Sequence, residues 1–185
     1  MTSLGIGLSF ASLARAEVQI ERGFLPDAAP SSFAIGLPGG VNFCFDPVRA
    51  GVSYAWSGDF IDLSAMRPGA GKFIKPAKLL GPVHYRESGF APLRRGDPNR
   101  APVVEFTGYS LRDDSVEFRY TIDGAPVREE IRARPSGDGL IRRFHFDGSG
   151  DAKWWHLVDG KPAEELKRER DGSFVLEVIF SKEAK

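Results

Sequence analysis

Carboxylates beside an aromatic ring are the strongest chemical signal in this sequence. The segment Trp56-Ser57-Gly58-Asp59-Phe60-Ile61-Asp62 places Asp59 and Asp62 just after a tryptophan. A sugar site needs that combination: an indole stacks on the apolar face of a pyranose while carboxylates accept hydrogen bonds from its hydroxyls. The same pair could act as acid and base in glycoside cleavage. The pattern equally describes a core tryptophan whose aspartates cap a loop.

A second group alternates along one run. Glu117 and Arg119, followed by Arg128 and Glu130, offer fixed donors and acceptors to a polyhydroxy or carboxylate ligand. They also suit an ordinary solvated sheet face. Tyr109 is a further candidate ligand contact. In Trp154-Trp155-His156, strand alternation must send one indole inward and the other outward.

Other chemistries are poorly supported. His84, His145 and His156 lack H-x-H, H-x-x-x-H or H-E-x-x-H spacing, which predicts three separate surface histidines and no metal site. No G-x-S-x-G elbow exists, and no base lies near Ser57 or Ser110 in sequence. Pro38-Gly39-Gly40 and Gly69-Ala70-Gly71-Lys72 read as turns, not phosphate loops. With one cysteine, Cys44, an intramolecular disulfide, a C-x-x-C-H haem attachment and a Cys-based zinc site are excluded. Cys44 lies in an apolar run and reads as a small buried residue. No cofactor is expected.

The elements that must position these residues are strands. Lys+Arg and Asp+Glu number 25 each, so no overall field draws the chain to nucleic acid. The 21 glycines and 13 prolines favour short strands joined by tight turns. Leu4 to Leu13 is apolar and ends at Ala14-Arg15-Ala16, which predicts a signal peptide over residues 1–16 and a single mature domain over 17–185. That run is too short and glycine-rich to span a bilayer, and a periplasmic or secreted location follows.

Val52 to Leu63 predicts a strand with Val52, Tyr54 and Trp56 on one face, broken at Gly58. Lys78 to Arg86, Pro102 to Leu111, Leu140 to Phe146 and Lys153 to Val158 predict further strands. Ser173 to Phe180 is apolar on both faces, as in a central strand. Pro162 to Arg170 allows a turn of helix at most. From Ser115 to Arg132, Val116, Phe118, Tyr120 and Ile122 alternate with polar residues, and Asp123-Gly124 supplies a type I′ hairpin turn. That turn pairs Ile122 with Ala125, Tyr120 with Val127 and Val116 with Ile131. It also sets Arg119 opposite Arg128 and Glu117 opposite Glu130, with the diagonal Glu–Arg pairs left to compensate. The whole predicts an all-β antiparallel sandwich of about nine or ten strands. Long loops at Arg67–Lys75 and Ser88–Ala101 are candidate binding segments.

Ala34-Ile35-Gly36-Leu37-Pro38-Gly39-Gly40, the Tyr54–Asp62 segment, Lys78-Leu79-Leu80-Gly81-Pro82, Gly108-Tyr109 and Phe118–Gly124 together resemble an uncharacterised exported bacterial domain. The likeness runs from about Gly23 to Gly148. It implies an extracytoplasmic location and association with c-type cytochrome, haem-binding or sugar-dehydrogenase-like partners. It supplies no catalytic residues. The expectation is therefore a non-catalytic accessory domain that binds carbohydrate or a sugar-oxidising redox partner. The alternatives are a sugar-active enzyme (glycoside hydrolase or mutarotase-like) and a structural protein-interaction domain.

Overall fold

In a computed structural model the described residues are 17–66, 75–87, 90–147, 152–158 and 161–180. The proposed signal segment and the Gly69–Lys72 turn lie outside them. The first strands are β1 (Gln19–Arg22), β2 (Phe33–Leu37), β3 (Val41–Asp46), β4 (Gly51–Ser57) and β5 (Asp59–Asp62). Next come β6 (Lys78–Leu80), β7 (Val83–Arg86), β8 (Leu93–Arg95), β9 (Val104–Leu111) and β10 (Ser115–Ile122). The last are β11 (Ala125–Ala133), β12 (Gly139–Phe146), β13 (Trp154–His156), β14 (Glu164–Glu165) and β15 (Phe174–Ile179). The molecule is an all-β antiparallel sandwich. Its strands outnumber the expected nine or ten because two anticipated runs each split in two and the short strands β1, β8 and β14 form where none was expected.

One five-stranded sheet has the order β1-β2-β3-β4-β7 and the other β15-β12-β11-β10-β9. A three-stranded sheet β14-β13-β8 and a ribbon β5-β6 complete the fold. The main core lies between the two large sheets. Phe33, Phe43, Phe45, Phe106 and Phe118 interlock there, with Phe45 and Phe118 stacked at 3.7 Å. Trp154 joins this core and stacks on Phe146 at 3.7 Å.

The first sheet is buried on both faces. Its far side carries Ala34, Cys44, Tyr54 and Trp56 against Leu25, Ala77, Phe60 and Leu79. This two-sided burial explains why β2, β3 and β4 are apolar without clean alternation.

The β10–β11 hairpin has the expected register, including Ile122↔Ala125, Tyr120↔Val127 and Val116↔Ile131. Asp123 and Gly124 take φ of 51° and 77°, the double left-handed geometry of a type I′ turn. The expected diagonal ion pairs do not form. Arg119 pairs instead with Glu117 on its own strand at 3.2 Å, and Arg128 with Asp147 at 3.4 Å.

Other expectations need correction. Val52 does not share a face with Tyr54 and Trp56: a register shift beside Cys44 and Phe45 turns Val52 into the main core. Lys78 to Arg86 is two strands, separated at Gly81-Pro82 and belonging to different sheets. In the Pro162–Arg170 stretch β14 forms in place of a helical turn, and Arg168 bridges to Phe174. Ser173–Phe180 contains an edge strand, β15, and Ile179 is 60% exposed. Its inward face is consumed by the core, so the outward apolar residues are surplus and not a second buried face.

Candidate functional site

The residues singled out in the sequence fall into separate places. Trp56 is 0% exposed, and its indole N–H donates to the carbonyls of Asp59 and Phe60 at 3.2 and 3.1 Å. Its ring is core and offers no face to a sugar. Asp62 accepts the Ser64 N–H at 2.8 Å, as a loop cap does, and that hydrogen bond holds its carboxyl below the usual range. Asp59 is exposed on the same strand, β5. Tyr109 is 39% exposed at the sheet edge and packs edge-on against Phe33.

Arg119, Arg128 and Glu130 share the outer face of the second sheet, on the far side of the sandwich core from Trp56. Arg119 donates to Ser110 Oγ at 2.7 Å and to the Tyr109 carbonyl at 3.3 Å. Arg119 and Arg128 are thus partnered surface charges. Trp154 and Trp155 divide as alternation requires: Trp154 is buried, while Trp155 is half-buried. The Trp155 N–H donates to the Gly96 carbonyl at 2.8 Å, and the Lys153 ammonium lies 5.8 Å from its ring.

The most concentrated chemistry lies elsewhere, inside the sandwich. Arg142 on β12 donates from Nη1 to Glu87 Oε1 and from Nε to Glu129 Oε1, both at 2.5 Å, and all three side chains are fully buried. Tyr120 donates to Glu129 Oε2 at 2.8 Å. His156 Nε2 lies 2.9 Å from Glu87 Oε1, and the Tyr85 hydroxyl donates to the same oxygen at 3.3 Å. Burial pushes the Glu87 carboxyl up, but Arg142 and His156 outweigh it and hold the group at about 2. For Glu129 burial wins over Arg142 and Tyr120, and its carboxyl is raised. Glu87 is therefore the charged partner of Arg142, and Glu129 is the carboxyl more ready to carry a proton.

Desolvating such a cluster is expensive, so hydrophobic replacement would often be no less stable. Several of its atoms also lack hydrogen-bond partners among the described residues: Glu87 Oε2, Arg142 Nη2 and His156 Nδ1. Unpaired buried polar atoms are where a functional contact is to be sought.

His156 connects this network to the outside. An open cleft of about 410 Å³ runs between the β7 and β15 edges of the two large sheets. Its walls include His84, Tyr85 and Arg86 from β7, Leu176 to Ile179 along β15, and His156, Lys161 and Glu164. The volume lies in the range of small-molecule sites, roughly 300–1,000 Å³. His156 is 1% exposed, which corrects the expectation of three surface histidines. Because Glu87 can only accept, Nε2 carries a hydrogen, and Nδ1 is buried without a partner among the described residues.

His84 repeats the arrangement in part. Its Nε2 lies 2.8 Å from Ser57 Oγ, its ring stacks on Phe180, and its Nδ1 is buried without a partner among the described residues. The base that sequence proximity denied Ser57 is thus supplied across the sheet.

Sequence reasoning missed this network, although a signal was present. Glu129 occupies the inward position between Val127 and Ile131, and Arg142 the one between Leu140 and Phe144. A charge at an apolar phase of a strand predicts a buried partner. No histidine, cysteine, aspartate and glutamate group suited to a metal ion occurs among the described residues, and no helix there is long and apolar enough to cross a membrane.

Residues 43–129 match the model of a family described as a domain of unknown function, DUF6797. The match runs from β3 into β11 and includes Tyr85, Glu87 and Glu129, but not Arg142 or His156. No curated protein and no solved structure matches the chain.

Proposed function

We propose that the chain is an extracytoplasmic accessory domain that binds carbohydrate, and that the ligand occupies the cleft between β7 and β15. One observation carries this reading. A cleft of about 410 Å³ between the β7 and β15 edges joins ring surface, cations and carboxylates in one wall, beside the buried His156 that Glu87 holds in place. Around it Tyr85 offers ring surface, Lys161 donates and Glu164 accepts, while Arg86 borders the cleft with its guanidinium over the Tyr54 ring and 3.5 Å from Asp27. Mixed donors and acceptors beside an apolar wall suit a polyhydroxy ligand. The role beside a c-type cytochrome or sugar-oxidising dehydrogenase rests on the resemblance of residues Gly23 to Gly148, and the exported location on that likeness and the N-terminal run.

The test is a glycan array with the intact protein and an Arg86→Ala/Lys161→Ala variant, both residues being at the cleft surface. Loss of the wild-type signal in the variant supports the assignment. Equal binding by both would remove the cleft, and binding lost instead in Trp155→Ala would move the site to that indole. A wild-type chain that retains no glycan refutes the carbohydrate reading.

A further inference from the structure

We infer that Arg94 anchors a second binding site, for a small carboxylate with an apolar tail, in a cleft of about 270 Å³ beside β8. The inference is independent of the carbohydrate reading, since this cleft shares no lining residue with the one between β7 and β15. Its walls are Val48, Phe90, Ala91, Pro102 and Val104, with Arg94 set among them. Part of this wall belongs to the Ser88–Ala101 stretch, which the sequence marks as a candidate binding segment.

Arg94 is a buried cation without a counterion. Leu93 beside it lies in the main core, so strand alternation turns Arg94 to the other side of β8. Even there it is only 6% exposed. Its guanidinium makes no hydrogen bond or ion pair with any described residue. Nε and Nη1 are sealed from solvent, whereas Nη2 is not and stays open to the cleft. Burying such a group is costly until a partner compensates it.

The acids nearby are already engaged. Asp46 accepts the Val48 N–H at 2.9 Å and Arg49 Nε at 3.3 Å. Asp123 is the acid whose charge acts on Arg94, but it is paired with Arg100 and accepts the Val103 N–H at 3.0 Å. Arg49, also at the cleft, is balanced by Asp46 and donates to Ser53 Oγ at 2.8 Å and to the Phe90 carbonyl at 3.3 Å. That last bond ties two walls of the cleft together. The cleft therefore holds one cation in excess.

An anion entering it meets a guanidinium in a poorly hydrated place, where a charge-assisted hydrogen bond is about twice as strong as a neutral one. The walls narrow the choice of anion. Phosphate or sulfate would turn oxygens toward Val48, Pro102 and Val104, which offer their side chains no hydrogen bond. A carboxylate carries both oxygens at one end, so its charge meets Arg94 and its tail meets hydrocarbon. Phe90, 73% exposed, adds ring surface at the rim. The volume lies below the roughly 300–1,000 Å³ of sites for drug-sized ligands, which limits the tail to one ring or a few carbons.

The test is a saturation-transfer NMR titration of the full chain at pH 7 with phenylacetate, neutral phenylacetamide and acetate. Phenylacetate should bind saturably and raise the thermal midpoint of the protein. Phenylacetamide lacks the charge and acetate lacks the ring, and each should bind about tenfold more weakly. Arg94→Gln should weaken phenylacetate about tenfold and leave phenylacetamide unchanged. Phe90→Ala, at an exposed position, is a second variant and should weaken phenylacetate but not acetate. Absence of phenylacetate binding overturns the inference, as does equal binding of phenylacetate and phenylacetamide. Phenylacetate affinity unchanged in both variants places the site elsewhere and overturns it too. Acetate binding as tightly as phenylacetate refutes the apolar tail.

Discussion

Replacing the buried carboxylates one at a time by their amides separates the two roles assigned to them. Glu87 and Glu129 both contact Arg142, both are fully buried, and glutamine preserves their shape. Their carboxyls are nevertheless displaced in opposite directions. Glu87 is held at about 2 against an ordinary value of 4.5, which is worth about 3 kcal/mol of stability at neutral pH. Its folded-state value is the lower one, so this stability is present above pH 4.5. It is lost as the pH falls toward about 2.

Glu129 has the opposite sign. Its raised carboxyl favours the folded chain at low pH, and that advantage disappears as the pH rises through its folded value. Glu87→Gln should therefore cost about 3 kcal/mol at pH 7 and only about 1 kcal/mol near pH 3. Glu129→Gln should cost less, about 1–2 kcal/mol at pH 7, because the amide still accepts from Arg142 and only the Tyr120 hydroxyl loses its acceptor. Urea unfolding at both pH values measures this as a shift in midpoint, roughly 1–2 M for Glu87→Gln at pH 7 with an unchanged slope. The reasoning fails if Glu129→Gln is as damaging as Glu87→Gln at pH 7, or if the Glu87→Gln deficit does not shrink in acid.

Two further outcomes follow from local geometry. A Cβ on Gly124 would meet nothing within 4 Å, so Gly124→Val tests backbone conformation alone. At φ of 77° it should cost about 1–2 kcal/mol by urea unfolding, and a neutral result would dismiss the type I′ turn as a determinant of the hairpin. Burial pushes the Cys44 thiol up to about 11. The native protein should thus resist a thiol-specific disulfide reagent at pH 8 and react fully once unfolded in urea, whereas rapid native labelling would contradict the packing of the first sheet.

The hairpin shows how much was legible in the residues alone. Alternation and the Asp123-Gly124 turn specify the β10–β11 register, because a one-residue slip would turn Phe118 and Tyr120 into water. The buried Cys44, the divided Trp154-Trp155 pair and the all-β class follow from equally local rules. Edge and centre were not legible for Ser173–Phe180, since alternation cannot say whether a second layer covers the outward residues. Nor could it show that Trp56 turns into a second core, which only the Leu25 and Ala77 segments folding over the first sheet create.

What the sequence determined by itself is therefore the set of elements whose causes lie within a few residues: strand phase, turn type and pairing of chain neighbours. Tertiary structure decided the candidate site. Glu87, Glu129, Arg142 and His156 come from four separated segments, and His156 meets Glu87 across 69 residues of chain. Phase can flag a charge on an apolar face, but the partner that neutralises it is chosen by how the sheets stack. Electrostatic pairing acts through space, and only the folded arrangement sets that distance.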